Sequence, residues 1–189
     1  MSDSTTTILV TGAGGQLGSR LRACAEGRPN VTFIGLGQEA LDVCDRAAVF
    51  EALASHRPDV VIHAAAYTAV DRAQSEEPLA FEVNATAVRH VADACNAGGI
   101  SLIHISTDYV FGDVPRRPLL PTDPTGPVGA YGRTKLAGEQ AFLESGVNGA
   151  LVRVAWLYDA EGHNFMNTML RLAEALSLIH ISEPTRRTI

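Results

Sequence analysis

Thr7-Ile8-Leu9-Val10-Thr11-Gly12-Ala13-Gly14-Gly15-Gln16-Leu17-Gly18 is the stretch on which the fold is read. Its first five residues are aliphatic or β-branched and predict a buried strand. A glycine-rich turn follows, and helical spacing then runs from Gln16 to Glu26. The glycines recur as Gly12-x-x-Gly15-x-x-Gly18, which permits a tight turn and a close approach of backbone to an anionic group. The unsatisfied amides at a helix N-terminus attract such a group. Glycine spacing alone is a weak signal, but between a strand and a helix it points to the pyrophosphate of a dinucleotide rather than to an ordinary turn.

Working outward, short apolar strands alternate with helices. Val31 to Ile34 reads as a second strand, and Asp45 as the cap of a helix with apolar Val49, Phe50 and Leu53, ending before Pro58. Val60-Val61-Ile62 reads as a third strand. A long helix is expected from about Pro78 to Ala97, stopping at Gly98-Gly99. Leu102 to Ile105 is a further strand, and a proline-rich loop spans Val114 to Pro127. Tyr131 to Glu144 has helical spacing that would turn Leu136, Ala137, Gln140 and Leu143 inward, and Ala150 to Val154 closes the series. Continuous apolar strands separated by helices predict a parallel sheet covered on both faces, a doubly wound, Rossmann-like α/β domain over residues 1–175.

Composition narrows the function classes. The chain has 189 residues, 46% of them hydrophobic, with 15 Lys and Arg against 21 Asp and Glu for a net charge of −6. Without a concentrated basic patch, nucleic acid is not the expected partner. No apolar run reaches the roughly 18–20 residues of a membrane span, and Met1 to Thr7 lacks the pattern of a signal peptide. Cys24, Cys44 and Cys95 suit neither a disulfide framework nor a CxxC metal site, so reduced thiols in the cytoplasm are expected. One hexamer, Ser101 to Ser106, recurs as Ser177 to Ser182 without matching flanks. The stretch Leu176 to Arg186 resembles the translation of a sequencing adaptor, so residues 176–189 are expected to be a non-native tail.

Tyr131-Gly132-Arg133-Thr134-Lys135 places a phenol and an ammonium on one helix face. A phenol with its ordinary pKa near 10 is a poor acid–base group at neutral pH, and a nearby cation would lower that value. Lys135 can also reach a nicotinamide ribose, and Thr107, at the end of a strand, can orient a carbonyl. The second strand ends in Gly35-Leu36-Gly37-Gln38, without the acidic residue that would bind a ribose 2′-hydroxyl. That absence leans towards NADPH and leaves NADH open, since no arginine clamp is evident either.

With these residues in place, the chain resembles the dTDP-4-dehydrorhamnose reductases, a family of extended short-chain dehydrogenase/reductases. The resemblance lies in Gly15-Gln16-Leu17-Gly18, Leu41-Asp42-Val43, Ala64 to Asp71, Val83-Asn84-Ala85, Ser106 to Phe111, Tyr131 to Glu139, Arg153 to Tyr158 and Asn164-Phe165. It implies that Tyr131 donates a proton, with Lys135 lowering its pKa and Thr107 tuning the hydrogen bond. It implies that Gly12, Gly15, Gln16, Leu17 and Gly18 face the pyrophosphate, Asp42 and Val43 the adenine, and Ala66, Tyr67 and Thr68 the rest of the cofactor. Thr107, Asp108 and Trp156 would contact the nucleotide sugar, whose 4-keto group is reduced to give dTDP-L-rhamnose. Some members dimerise around magnesium through carboxylates, one of them just after the glycine loop. Arg20 stands there, which argues against a metal site and leaves a homodimer open. Relatives continue into a substrate-binding region beyond residue 175, so the chain as written is expected not to turn over. The other readings are a sugar-nucleotide epimerase or dehydratase, the latter disfavoured because Tyr109 follows Asp108, and a non-catalytic regulator like that of methionine adenosyltransferase.

Overall fold

The aliphatic run before the glycine turn forms strand β1 (Thr6–Thr11), and the turn feeds helix α1 (Gln16–Ala25). The computed structural model describes residues 5–112, 117–162 and 164–180. Residues 181–189 of the adaptor-like tail, and Val114 to Arg116 of the proline-rich loop, lie outside the described residues. Strand β2 (Val31–Leu36) runs two residues beyond the expected end, because Gly35 and Leu36 still pair with Val10 and Thr11. Helix α2 (Arg46–His56) starts at Asp45, whose carboxylate accepts from the amides of Ala47 and Ala48 at 2.9 and 3.1 Å. Strand β3 (Val60–His63) follows.

The expected long helix is three pieces. After a separate short α3 (Val70–Ala73), these are α4 (Glu77–Phe81), a π-helical turn at Glu82–Thr86 and α5 (Ala87–Gly98). A π turn adds a residue to the helix repeat and so re-aims a side chain; here it leaves Asn84 buried and polar-bonded. Strand β4 (Ser101–Thr107), helix α6 (Ala130–Ser145) and strand β5 (Gly149–Val154) complete the alternation.

The five strands are parallel in the order β2-β1-β3-β4-β5. One sheet face carries Leu9, Val61 and Leu102, which are fully buried against Val49 and Leu53 of α2, Val88 and Val91 of α5 and Phe142 of α6. Helix α1 lies on the other face, where Arg22 reaches Phe33 and Gly35. Helices on both faces make this the doubly wound α/β fold. Cover on the second face is thinner: Ile8, Ile62, Ile103 and Ile105 stay half-buried.

The inward face of α6 differs from the expected one. Gln140 is exposed and Leu143 is 68% exposed, while Thr134, Lys135, Gly138, Glu139 and Phe142 are buried. Apolar periodicity misassigns this helix because two of its inward side chains are charged and are buried only because they have partners.

The chain divides into two units, residues 1–155 and 156–189. In the second, Asn164 precedes helix α7 (Phe165–His180), accepting from the Asn167 amide at 2.9 Å and donating to Asp159 O at 2.8 Å. Trp156 meets Phe165 edge-on with centroids 5.1 Å apart.

Candidate active site

In this strand order the chain leaves β1 towards β2 on one side and returns to β3 on the other, and a ligand crevice forms at such a switch point. Three glycines line it for three different reasons. Gly12 has φ +67, and a Cβ on it would lie 2.6 Å from Ala65 N, so the turn after β1 rests on the turn after β3. A Cβ on Gly18 would stand 2.5 Å from Ala13 Cα and Gly12 O, so Gly18 lets α1 start tight against the loop. Gly15 is extended (φ −78), and a Cβ there would meet one neighbour within 4 Å, Gly12 O at 3.3 Å. The first and third glycines therefore serve the protein's own packing. The second leaves the side of the cradle open to an approaching group. Gln16 and Leu17 form the first helical turn, and Gln16 Nε2 is buried without a partner among the described residues. An open glycine, unsatisfied helix amides and an orphaned amide donor fit a pyrophosphate.

Ala66, Tyr67 and Thr68 follow β3 beside this cradle. The Asn84 carboxamide grips the main chain of Tyr67 from both sides, accepting from Tyr67 N at 2.9 Å and donating to Tyr67 O at 3.1 Å. It also donates to Thr134 Oγ1 at 3.1 Å. The Tyr67 hydroxyl is itself engaged, donating to Glu76 Oε2 at 2.5 Å. Asp42 accepts from Cys44 N at 2.9 Å and closes a turn, and the Val43 side chain is buried in the core. Asp42 thus has a structural role at its turn, and the Val43 carbonyl lies 3.4 Å from His90 Nδ1 of α5.

The Thr107, Tyr131 and Lys135 set comes from the end of β4 and the start of α6. Thr107 is buried; its hydroxyl accepts from Tyr109 N at 3.2 Å and donates to Asp108 Oδ1 at 3.1 Å. Tyr131 packs on a small cluster of Ala73, Ala80 and Ala130 and meets Tyr109 edge-on at 5.4 Å. Burial holds the Tyr131 phenol above its ordinary value; the Thr107 hydroxyl pulls it down, while Asp108 and Tyr109 add to the rise. The expected lowering is thus reversed, because desolvation outweighs the stabilisation of phenolate. Lys135 does not point to open space: its buried ammonium donates to Ile105 O at 2.7 Å. Desolvation draws its pKa down to about 8, against the pull of the Glu139 carboxylate.

A second polar layer lies beneath. Buried Glu139 accepts from Ser106 Oγ at 2.5 Å and from Arg153 Nε and Nη2 at 2.9 and 2.6 Å. Arg153 also donates to Pro121 O at 2.9 Å and lies 4.8 Å over the Phe111 ring, tying the loop after β4 to the sheet. Deeper still, His63 and His104 stack at 5.6 Å, with Thr11 Oγ1 2.8 Å from His63 Nδ1. Burial draws them down to about 3 and about 2, with the Lys135 charge adding to both.

A cleft of ≈ 560 Å³ opens at Tyr131, lined also by Val70, Asp71, Gln74, Tyr109 and Phe111. Sequence reasoning gave no role to Asp71, Gln74, Glu139 or Arg153, nor to Asn84; the signals for two of them were Ala-Val-Asp at 69–71 and Val-Asn-Ala at 83–85. Trp156 belongs to the second unit. Among the described residues no group of three or more His, Cys, Asp or Glu side chains is placed to hold a metal ion, and no helix is long and apolar enough to cross a membrane.

A family model, that of the RmlD substrate binding domain, matches residues 6–185. The chain belongs to this family. Its RmlD-type relatives include the dTDP-4-dehydrorhamnose reductase of Streptomyces griseus, 50% identical over 165 residues, which are 87% of this chain and 54% of the relative. The dTDP-4-dehydrorhamnose reductase of Escherichia coli is 44% identical over 172 residues, 88% and 56% of the two chains. Among solved structures, the dTDP-4-dehydrorhamnose reductase of Bacillus anthracis in complex with NADP superposes with a TM-score of 0.86 at 37% identity, over 93% of this chain and 62% of that one. The chain therefore spans little more than half the length of these RmlD-family relatives.

Proposed function

We propose that the chain carries the cofactor and proton-transfer half of a reductase that converts dTDP-4-dehydro-6-deoxy-L-mannose into dTDP-L-rhamnose. The observation that carries this reading is the Tyr131 phenol, held above its ordinary value beside Thr107 and opening on the cleft. Reducing a ketone consumes a proton, so the donor must be protonated at neutral pH, which this environment favours. When bound, NADPH supplies the hydride to C4 of the sugar. Tyr131 gives its proton to the developing alkoxide, and the Thr107 hydroxyl orients the carbonyl oxygen. Lys135, one helical turn on and held by Ile105 O, keeps positive charge under the site and stabilises the phenolate left after transfer. Asp108 and Trp156 would contact the nucleotide sugar, and Asp42, Val43, Ala66, Tyr67 and Thr68 would follow the cofactor from adenine to nicotinamide. NADPH is the preferred dinucleotide in this reading. The NADP in the Bacillus anthracis relative and the missing carboxylate at the end of β2 support that preference.

The test joins this chain to the remainder of the Streptomyces griseus relative and follows NADPH absorbance with the dTDP-4-keto sugar. Tyr131→Phe should lower turnover about 10²-fold or more, the usual scale of general acid catalysis, while NADPH titration is nearly unchanged. Near-normal turnover in the variant would remove Tyr131 from the acid role.

A further inference from the structure

Gly15 and the first turn of α1 suit the pyrophosphate, and the end of β2 has still to be matched to a part of the cofactor. Dinucleotide folds place an acidic residue here to bind the adenine ribose 2′-hydroxyl, or a nearby arginine to accept a 2′-phosphate. This chain has Gly35-Leu36-Gly37-Gln38 at that point, and Ala13 N donates to Leu36 O at 3.1 Å, so the strand end and the glycine loop share one wall.

Arg22 reaches this wall from α1. Its guanidinium lies 5.2 Å over the Phe33 ring, and a Cβ built on Gly35 would stand 2.6 Å from Arg22 Nη2. The same Cβ would be 2.8 Å from Phe33 Cε1 and 2.9 Å from Ala13 Cβ. A side chain at position 35 would therefore crowd the arginine head, the Phe33 ring and Ala13 together. The contact with the Phe33 ring holds the guanidinium on the side of β2 that carries Gly35, and its N–H donors can pair with an anion. The neighbouring Arg28 is committed elsewhere, donating to Cys24 O at 2.8 Å. No described carboxylate pairs with Arg22; on its own helix the first turn has no acidic residue.

We propose that Arg22, admitted by Gly35 and braced on Phe33, is the group that recognises the 2′-phosphate of NADPH and sets the dinucleotide preference. This deepens the cofactor reading given above and rests on it. A 2′-phosphate offers three oxygens to the guanidinium fork, whereas a 2′-hydroxyl offers one weak acceptor, so the contact discriminates between the two cofactors without touching the nicotinamide end.

The experiment uses chain 1–189 and equilibrium titrations with NADPH, NADH and 2′,5′-ADP, so no turnover is needed. The unaltered chain should bind NADPH more tightly than NADH. Arg22→Ala should weaken NADPH and 2′,5′-ADP about tenfold or more, the scale of one charge-assisted hydrogen-bonding group, with NADH changed less than about twofold. Arg22→Gln keeps the stem over Phe33 while removing the charge, and should show the same selective loss, with thermal unfolding matching the unaltered chain. Added salt should weaken NADPH more than NADH in the unaltered chain and equally in both variants. Equal affinities for the two cofactors, an unchanged NADPH affinity in the variants, or equal losses for both cofactors would each overturn the role of Arg22. Binding of neither cofactor by the unaltered chain would instead overturn the dinucleotide reading itself, and this proposal with it.

Discussion

Acid should unfold this protein early, and the stacked pair His63 and His104 is the reason. Both imidazoles titrate near 6.5 in an unfolded chain, and burial draws them down to about 3 and about 2 in the folded one. Below pH 6.5 the unfolded chain therefore takes up protons that the folded chain refuses, so stability falls as the pH drops through the window from 6.5 towards 3. Each group contributes a slope of roughly 1.4 kcal/mol per pH unit. Between pH 6.5 and pH 5 the two together remove roughly 3 kcal/mol, a large share of the about 5–15 kcal/mol of a typical domain. His104→Phe separates this cause from others. Both His104 nitrogens are buried without partners among the described residues, and its ring sits between His63 at 5.6 Å and Phe142 at 6.2 Å, where a phenyl ring fits. The variant should be more stable at pH 7 by about 1–3 kcal/mol, because the two partnerless buried nitrogens of His104 are removed. Its slope below pH 6.5 should be about half that of the unaltered chain. Urea unfolding followed by circular dichroism at pH 7, 6 and 5 reads both quantities. Parallel stability curves for the two proteins would refute the reasoning.

Three further outcomes follow from the geometry. Gly12→Ala should destabilise the fold by about 1–3 kcal/mol in urea unfolding, because the added Cβ meets Ala65 N at 2.6 Å and φ is +67. Gly15→Val should leave unfolding within about 1 kcal/mol and abolish NADPH binding in a fluorescence titration, since its φ of −78 suits any residue and its open side faces the cradle; retained binding would make the loop a mere turn. Glu139→Gln should cost about 3–5 kcal/mol by leaving the Arg153 charge poorly paired, read as a drop in the urea midpoint.

The fold was legible because each strand is a short apolar run and each helix carries a stop or cap that acts locally, such as Asp45 or Gly98-Gly99. Alternation predicts a parallel sheet, whereas the order β2-β1-β3-β4-β5 depends on long-range pairing that no local pattern announces. What escaped the sequence is polar and long-range. Lys135 and Glu139 are buried because of Ile105 O, Ser106 and Arg153, partners 14 to 33 residues away, and no local pattern announces such pairs. The same holds for Arg22, thirteen residues before the glycine it overlies. The raised Tyr131 phenol was missed because the spacing of Tyr and Lys gives their charge relation but not the depth of the ring. The single long helix was misjudged at Glu82–Thr86, where composition does not distinguish a π turn from an α turn.

Asn84 has a mechanical consequence. One carboxamide clamps the Tyr67 main chain in the loop after β3 and Thr134 on the helix that bears Tyr131, and Gly138 lets the Asn84 carbonyl pass against the same helix. The loop after β3 and helix α6 are therefore bolted to a common mount, with no slack residue between them. A displacement of the backbone at 67 is thus passed through Asn84 to α6, so the loop after β3 and the helix that carries Tyr131 keep their alignment as one rigid jig.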